Sequence, residues 1–187
     1  SSQVLDWWPG LVGEGRLFDP KKDRIICANV LGSCYGSTGP KDLEDQFEFP
    51  DLTVKDFVKA HHLLANELNL KKIDVLIGAS LGGQQALEWA IDDPRIKELI
   101  LIATNAVHSP YGIAFNEAQR LALKSDATFG KKNGGKEGLK AARAVAMLSY
   151  RSYTDFDLKQ SESELKSDNY KAASYVRYQG EKFVDRF

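Results

Sequence analysis

The chain of 187 residues has the composition of a folded globular protein of one domain, with 43% hydrophobic and 27% charged residues. That composition excludes a disordered tail, a collagen-like fibre and a disulfide-rich miniprotein. The 25 basic and 26 acidic residues give a net charge of −1, which excludes the basic surface that holds nucleic acid. The sequence shows no membrane span and no signal peptide, so we expect a cytoplasmic protein.

The first elements of the chain are a strand, a loop and a helix. Residues 24–31 form a short, nearly continuous apolar run, which predicts a strand buried on both faces. Residues 32–40 contain three Gly and one Pro and therefore predict a loop. Thr53 with Asp56 three residues later forms a capping-box pattern, and a helical apolar face follows it. We interpret His61 and His62 on this helix as structural or surface residues.

A parallel sheet is predicted from the alternation of strands and helices up to residue 104. Residues 73–78 and 99–104 read as two further buried strands, and residues 81–91 between them as a helix that ends before Pro94. The order strand, helix, strand, helix, strand indicates parallel strands joined by right-handed crossovers. We expect an α/β fold with a partial parallel sheet.

Strand signals stop after this region. Residues 113–124, 138–151 and 170–187 predict helices, and residues 131–136 form a polar, glycine-rich connector. We therefore divide the chain into a core at residues 1–112 and a helical lid region, inserted over the sheet, at residues 113–187.

The cysteines carry no chemical signal. Cys27 and Cys34 lie seven residues apart, in neither a zinc nor a redox spacing. The sequence gives no support for a disulfide between them, and we expect two buried or half-buried thiols. No metal site and no cofactor are predicted.

A candidate nucleophile lies between the second strand and the following helix. Residues 78–82 match the pattern G-x-S-x-G, with Ser80 at its centre. A strand before the pattern and a helix after it are the context of a nucleophile elbow, a sharp turn that exposes the serine at the carboxyl edge of the sheet. We expect Gly78 and Gly82 to let strand and helix pass close together. The Leu81 N–H then points from the first helical turn toward developing negative charge.

A second donor for an oxyanion hole is expected in the loop after the first strand. This loop, within residues 29–40, leaves a neighbouring strand at the same edge of the sheet. Its glycines allow backbone amides to turn inward, and loops at this edge of an α/β sheet commonly bind ligands.

Several segments closely resemble the homoserine O-acetyltransferase family of α/β-hydrolase-fold acyltransferases. They are residues 7–13, 29–40, 78–89, 112–120, 149–152 and 178–187. The resemblance implies that Ser80 takes an acetyl group from acetyl-CoA and passes it to the hydroxyl of homoserine, a step toward methionine. It also implies that the Leu31 and Leu81 amides form the oxyanion hole, that Arg151 binds the substrate carboxylate, that Thr38 lines the pocket, and that the full-length protein is a homodimer.

The sequence departs from this family in its catalytic triad. In this fold the triad follows the chain order Ser, then Asp or Glu, then His. After Ser80 the only histidine is His108, which follows the very next strand and comes too early. The acids between them lie in or near the elbow helix or open the next strand: Glu88, Asp92, Asp93 and Glu98. We therefore expect an internal fragment, inactive alone, with the triad Asp and His beyond residue 187.

Two other interpretations stay open at this point. The first is another enzyme on the same fold, namely a serine O-acyltransferase, a succinyl-CoA-dependent relative or an esterase. The second is a non-catalytic α/β scaffold that keeps the elbow without the triad.

Overall fold

The computed structural model describes residues 8–33, 35–45 and 48–185. Two strands and six α-helices follow one another in this part of the chain, after a short 3₁₀ helix at Pro40–Asp42. In chain order they are α1 (Val54–Glu67), β1 (Ile73–Ala79), α2 (Leu81–Asp92), β2 (Ile96–Ile102), α3 (Pro110–Lys124), α4 (Lys136–Ser149), α5 (Tyr153–Gln160) and α6 (Lys171–Val184).

The two strands form a parallel sheet connected by α2. Ile73 is paired with Ile96 at one end of the sheet and Ala79 with Ile102 at the other. Helix α2 packs against both strands and against α1. The prediction of a strand–helix–strand unit in this region is therefore confirmed, because apolar strands flank a helix that ends before Pro94.

The predicted first strand is wrong. Residues 24–30 form no strand, and within the described residues β1 is paired only with β2. Ile25 and Ile26 are 36% and 42% exposed. An apolar run supplies the side chains of a strand, but its backbone groups still need a neighbour to pair with. The described sheet provides none for this segment.

The expected burial of β2 on both faces is also wrong. Leu99 and Leu101 are 36% and 39% exposed, and only Ile96 and Ile100 are half-buried. Helix α2 and β1 are the described elements with substantial contacts to the strand, and they leave these side chains exposed. The free thiol of Cys27 is likewise exposed, contrary to prediction. Cys34 lies outside the described residues.

Helix α1 begins as its sequence predicts. The Asp56 N–H donates to the Thr53 hydroxyl (3.4 Å) and the Thr53 N–H donates to the Asp56 carboxylate (3.0 Å), which completes the capping box. Val58 and Ala65 are buried on the helix face that the pattern predicts.

Helices α3 and α6 both pack against α4. Ala142, Ala146 and Met147 are its buried apolar residues. Gly138 allows α4 to approach α3, because a Cβ there would lie 2.9 Å from the Leu123 Cα. Gly180 likewise allows α6 to approach the Lys140 carbonyl.

The three predicted helices of this region are confirmed, and α5 was not predicted. Helix α3 begins at Pro110, three residues earlier than predicted, because the Ser109 hydroxyl caps it. The proposed division between residues 112 and 113 thus falls inside α3, and the division into core and lid stays a prediction. Among the described helices, none combines the length and apolarity that crossing a membrane requires.

Candidate active site

Ser80 occupies the tight turn between β1 and α2. Its backbone has φ 52° and ψ −122°, a left-handed conformation that costs a non-glycine residue about 1–3 kcal/mol. The Ser80 N–H donates to the Ile102 carbonyl (3.0 Å), and the Ser80 carbonyl accepts from the N–H groups of Gly83 and Gln84. The residue is exposed, and the described residues offer its hydroxyl no hydrogen-bond partner. This strained, outward-facing serine between a strand and a helix has the geometry expected of a nucleophile elbow, and its role as the nucleophile stays a prediction.

The turn can be this tight because two glycines lie at its closest contacts. A Cβ on Gly78 would lie 2.6 Å from the Gly82 carbonyl carbon, and one on Gly83 would lie 2.6 Å from the Thr104 Cβ. Gly82 was predicted to share this role, but a Cβ there would meet nothing within 4 Å. The prediction is therefore wrong for Gly82, because its missing side chain is not what permits the close approach. Gly82 takes part through its backbone carbonyl, which lies against Gly78.

The Leu81 amide lies in the first turn of α2, next to Ser80. Its N–H has no acceptor among the described residues, and the N-terminal end of a helix carries partial positive charge. This amide is suited to stabilise an oxyanion that forms on a carbonyl attacked by Ser80. Its role in an oxyanion hole stays a prediction.

Leu31 lies in a tight turn of the loop that was predicted to supply the second amide. The Ser33 N–H donates to the Val30 carbonyl (3.1 Å), and Gly32 has the left-handed φ of 76° that this turn needs. The Phe49 ring packs on Gly32, 3.3 Å from where a Cβ would lie. Thr38 is exposed in the same loop. Within the described residues, no hydrogen bond joins Leu31 or Thr38 to Ser80, and their roles stay predictions.

Arg151 follows α4 and is held by residues of the helical region. Its Nη1 donates to the Asp155 carboxylate (3.1 Å), and its guanidinium lies 5.7 Å from the centre of the Tyr175 ring. Hydrogen bonding to Tyr175, and then to Asp155, raises the pKa of Arg151. Among described residues the structure gives Arg151 no contact with Ser80, so the proposed carboxylate-binding role stays a prediction.

His108 and two of the acids that the sequence argument set aside are paired with other residues. The His108 Nε2 is hydrogen-bonded to the Asn116 amide (2.9 Å). The Glu88 carboxylate lies 3.7 Å from Lys55 Nζ, and the Asp93 carboxylate forms a salt bridge with the Arg95 guanidinium. Hydrogen bonds from Arg95 and Trp89 hold the pKa of Asp93 well below its ordinary value of 3.8. None of these groups is paired with Ser80 in the described part of the chain.

The two histidines of α1 pack against α2. His61 is stacked on Trp89 with ring centres 5.2 Å apart, and its Nε2 is hydrogen-bonded to Gln85 (2.9 Å). His62 lies 3.4 Å from the Asp93 carboxylate. These contacts agree with the structural interpretation of both residues. No group of three or more His, Cys, Asp or Glu side chains in the described ranges is arranged to hold a metal ion.

Sequence reasoning missed Thr104, the second residue after β2. Its hydroxyl donates to the Ser80 carbonyl (2.8 Å). A signal was available, because residues 99–104 were predicted as a strand and the carboxyl ends of adjacent parallel strands meet at one edge of the sheet. Thr104 was treated only as the last residue of that strand.

Comparison with known proteins gives concordant matches. A family model described as the α/β hydrolase fold matches residues 4–185. The homoserine O-acetyltransferase of Cyclobacterium marinum is 48% identical over 97% of this chain and 54% of its own length. That of Chloroherpeton thalassium is 42% identical, over 97% of this chain and 51% of its own length. The chain thus spans about half the length of these curated relatives.

Solved structures of homoserine O-acetyltransferases and of an esterase also match most of this chain. A homoserine O-acetyltransferase from Bacillus anthracis superposes with a TM-score of 0.86 at 19% identity, over 96% of this chain and 55% of that chain. Esterase E22 gives a TM-score of 0.84, also at 19% identity, over 97% and 57%. At such identities the likeness shows the fold alone. A homoserine O-acetyltransferase from Staphylococcus aureus is 34% identical with a TM-score of 0.65, over 84% and 43%. The resemblance predicted from the motifs is confirmed.

Proposed function

The chain belongs to the α/β-hydrolase fold family, as its sequence predicts, and from this premise we propose that it carries the nucleophile of a homoserine O-acetyltransferase. The homologues support an acyltransferase on this fold. The finer proposal is that Ser80 transfers an acetyl group from acetyl-CoA to the hydroxyl of L-homoserine, giving O-acetylhomoserine.

The observation that carries this proposal is the backbone of Ser80. A serine held at φ 52° between a strand and a helix N-terminus is a costly arrangement. The backbone strain is explained if function requires the Ser80 hydroxyl to be exposed beside an unpaired amide. That amide is the N–H of Leu81. The names of the relatives supply the reaction class.

The proposed first half-reaction is attack of the Ser80 Oγ on the thioester carbonyl. A base takes the serine proton, and the carbonyl electrons move onto oxygen, where the Leu81 and Leu31 amides would stabilise the charge. The intermediate then expels the thiolate of coenzyme A, which takes up a proton. This leaves the acetyl group as an ester on Ser80.

In the second half-reaction the homoserine hydroxyl attacks that ester. Its proton passes to the same base, and Ser80 leaves with a proton restored to its oxygen. Arg151 would hold the homoserine carboxylate with its planar guanidinium, and Thr38 would line the pocket. We place the catalytic Asp and His outside these 187 residues, because His108, Glu88 and Asp93 are paired with other residues and none of the acids between Ser80 and His108 follows a later strand. Acetyl-CoA is a substrate here, and the proposal needs no cofactor.

The resemblance extends the proposal beyond the reaction. We assign the activity to methionine biosynthesis in the cytoplasm, and the full-length protein to a homodimer. Small molecules are its proposed partners, and neither nucleic acid nor a membrane takes part.

The proposal is tested on the full-length protein with acetyl-CoA and homoserine. We expect O-acetylhomoserine as product and an acetylated Ser80 peptide when acetyl-CoA is supplied alone. Ser80→Ala should abolish both, whereas Ser149→Ala, which alters a serine at the end of α4, should abolish neither. Turnover that survives Ser80→Ala would overturn the proposal. Parallel assays with succinyl-CoA and with serine identify the donor and the acceptor.

Hydrolysis is the second candidate function. The acetyl esterase MekB matches this chain with a TM-score of 0.73 at 25% identity. Water in place of homoserine would release acetate from the same Ser80 ester. The assay separates the two candidates, because an esterase forms acetate at a rate that homoserine does not change.

A further inference from the structure

Thr104 and Ala103 follow β2 at the edge of the sheet where Ser80 lies. The Ala103 backbone has φ 48°, a left-handed conformation that is uncommon for a residue with a side chain. The chain therefore turns sharply as it leaves β2, as it does at Ser80 on leaving β1. The turn brings the Thr104 hydroxyl to 2.8 Å from the Ser80 carbonyl oxygen.

The backbone of Ser80 is held on both sides by the end of β2. Its N–H donates to the Ile102 carbonyl (3.0 Å), and its carbonyl accepts from the Thr104 hydroxyl. These two bonds flank the Ser80 Cα, so they restrict φ and ψ of the same residue. The direction of the Cα–Cβ bond follows from the backbone at this residue, and it sets the point from which the side-chain rotamer of Ser80 places the Oγ.

The side chain of Thr104 also packs on the elbow. A Cβ on Gly83 would lie 2.6 Å from the Thr104 Cβ and 2.8 Å from its Oγ1. Thr104 therefore occupies the space that the absent side chain of Gly83 leaves open. Its hydroxyl and its methyl group act on neighbouring residues, and they can be removed separately.

We propose that Thr104 is a positioning residue for the Ser80 nucleophile. Its hydroxyl holds the Ser80 carbonyl, stabilises the left-handed turn and fixes the direction from which the Oγ attacks. The inference rests on the proposed function, because it assigns Thr104 to the serine that becomes acylated. Loss of the hydroxyl should slow attack and leave substrate affinity unchanged, since Thr104 acts through Ser80.

The test compares variants of the full-length protein that separate the hydroxyl from the methyl group. Thr104→Val keeps the shape and removes the hydroxyl, whereas Thr104→Ser keeps the hydroxyl and removes the methyl. Thr154→Val, at an exposed threonine of α5, is the matched control. The readouts are the rate of Ser80 acylation by p-nitrophenyl acetate, and kcat and KM for acetyl-CoA.

For Thr104→Val we expect acylation about five- to tenfold slower, the equivalent of one net hydrogen bond, with KM unchanged. Thr104→Ser and Thr154→Val should stay within about twofold of the wild-type rate. A folded Thr104→Val protein that acylates at the wild-type rate would overturn the inference. Should Thr104→Val fail to fold, Thr104→Ala against Thr104→Ser decides the same question, with equal rates overturning the inference.

The outcome separates this inference from the proposed function. A wild-type protein that takes up no acetyl group on Ser80 overturns both. A wild-type protein that is acylated at Ser80, with Thr104→Val equally fast, overturns the positioning role alone.

Discussion

The backbone of Gly82 leaves no room for a side chain on Gly78, because a Cβ there would lie 2.6 Å from the Gly82 carbonyl carbon and 2.9 Å from the Ala86 Cβ. We expect Gly78→Ala to lower the free energy of unfolding by about 3 kcal/mol and to reduce Ser80 acylation with it. Urea unfolding and acylation of the same preparation measure the two effects.

Gly82→Ala is the matched control, since a Cβ at Gly82 meets nothing within 4 Å. We expect its stability to stay within about 1 kcal/mol of the wild type, because alanine is at least as good a helix former as glycine. Equal stabilities for the two variants would contradict the role given to Gly78.

The elbow shows what a motif can and cannot predict. The sequence of residues 78–82 predicted the turn, the serine and the following helix, because each depends on local backbone preferences. It did not distinguish Gly78 from Gly82. A Cβ on Gly78 would collide with α2, whereas a Cβ on Gly82 would meet no neighbour, and this difference depends on the folded structure. Thr104 was missed for a related reason: the predicted parallel strands placed its strand end beside Ser80, but which side chain bonds the Ser80 carbonyl depends on the turn that follows β2.

Residues 24–31 show the converse. Their apolar run predicted a buried strand, and that prediction was wrong, because a strand also needs the backbone of a neighbour. Helix α1 needed no such partner to begin, because Thr53 and Asp56 form its capping box within one turn. The capping box could therefore be predicted from sequence, whereas the pairing of residues 24–31 could not.

Asp93 ties the end of α2 to the start of β2. Its carboxylate accepts from Arg95 Nη2 (2.6 Å) and from Trp89 Nε1 (2.7 Å), and its side chain is 2% exposed. We expect Asp93→Asn to cost about 2–3 kcal/mol, because it leaves the partly buried Arg95 guanidinium without its counter-charge. Thermal unfolding measures the loss. Asp92 is the exposed neighbour of Asp93, and Asp92→Asn should lower the free energy of unfolding by less than about 0.5 kcal/mol. Equal losses of stability in the two variants would refute the stabilising role given to the Asp93–Arg95 pair.

The Asp126 carboxylate makes the free energy of unfolding depend on pH in the acid range. Its carboxylate accepts from the Thr128 hydroxyl (2.6 Å) and from the Gly138 N–H at the start of α4 (2.9 Å), and these hydrogen bonds lower its pKa from 3.8 to about 2. Between these two values the unfolded chain binds a proton that the folded chain does not. The contribution to stability is therefore complete above about pH 4 and is lost as the pH falls through about 2.

We expect the stability difference between wild type and Asp126→Asn to shrink steadily as the pH falls from about 5 to about 2. Unfolding midpoints measured across this range test it. Asp157→Asn, at an exposed position of α5, should show no such trend. A difference for Asp126→Asn that is constant with pH would exclude the carboxylate as its source.

Arg151 is proposed to bind the homoserine carboxylate, and its fixed geometry makes the proposal testable. Asp155 and the Tyr175 ring hold the guanidinium in place, which favours planar, two-point binding over a mobile charge. In the full-length enzyme, Arg151→Lys should raise KM for homoserine about tenfold and leave KM for acetyl-CoA unchanged. The control Arg120→Lys alters an exposed arginine paired with Glu117 and should change neither. A rise in both KM values would point to a general disturbance instead.

The 187-residue chain on its own should not turn over acetyl-CoA or p-nitrophenyl acetate. Ser80 is exposed and strained, but its hydroxyl has no basic partner among the described residues, and a serine without a base is a weak nucleophile. Steady-state assays of this polypeptide, beside the full-length protein at equal concentration, measure the difference. Because Ser80→Ala removes the nucleophile, turnover by the 187-residue chain that this substitution abolishes would show that a base for Ser80 lies within it. Turnover that survives the substitution would come from another source.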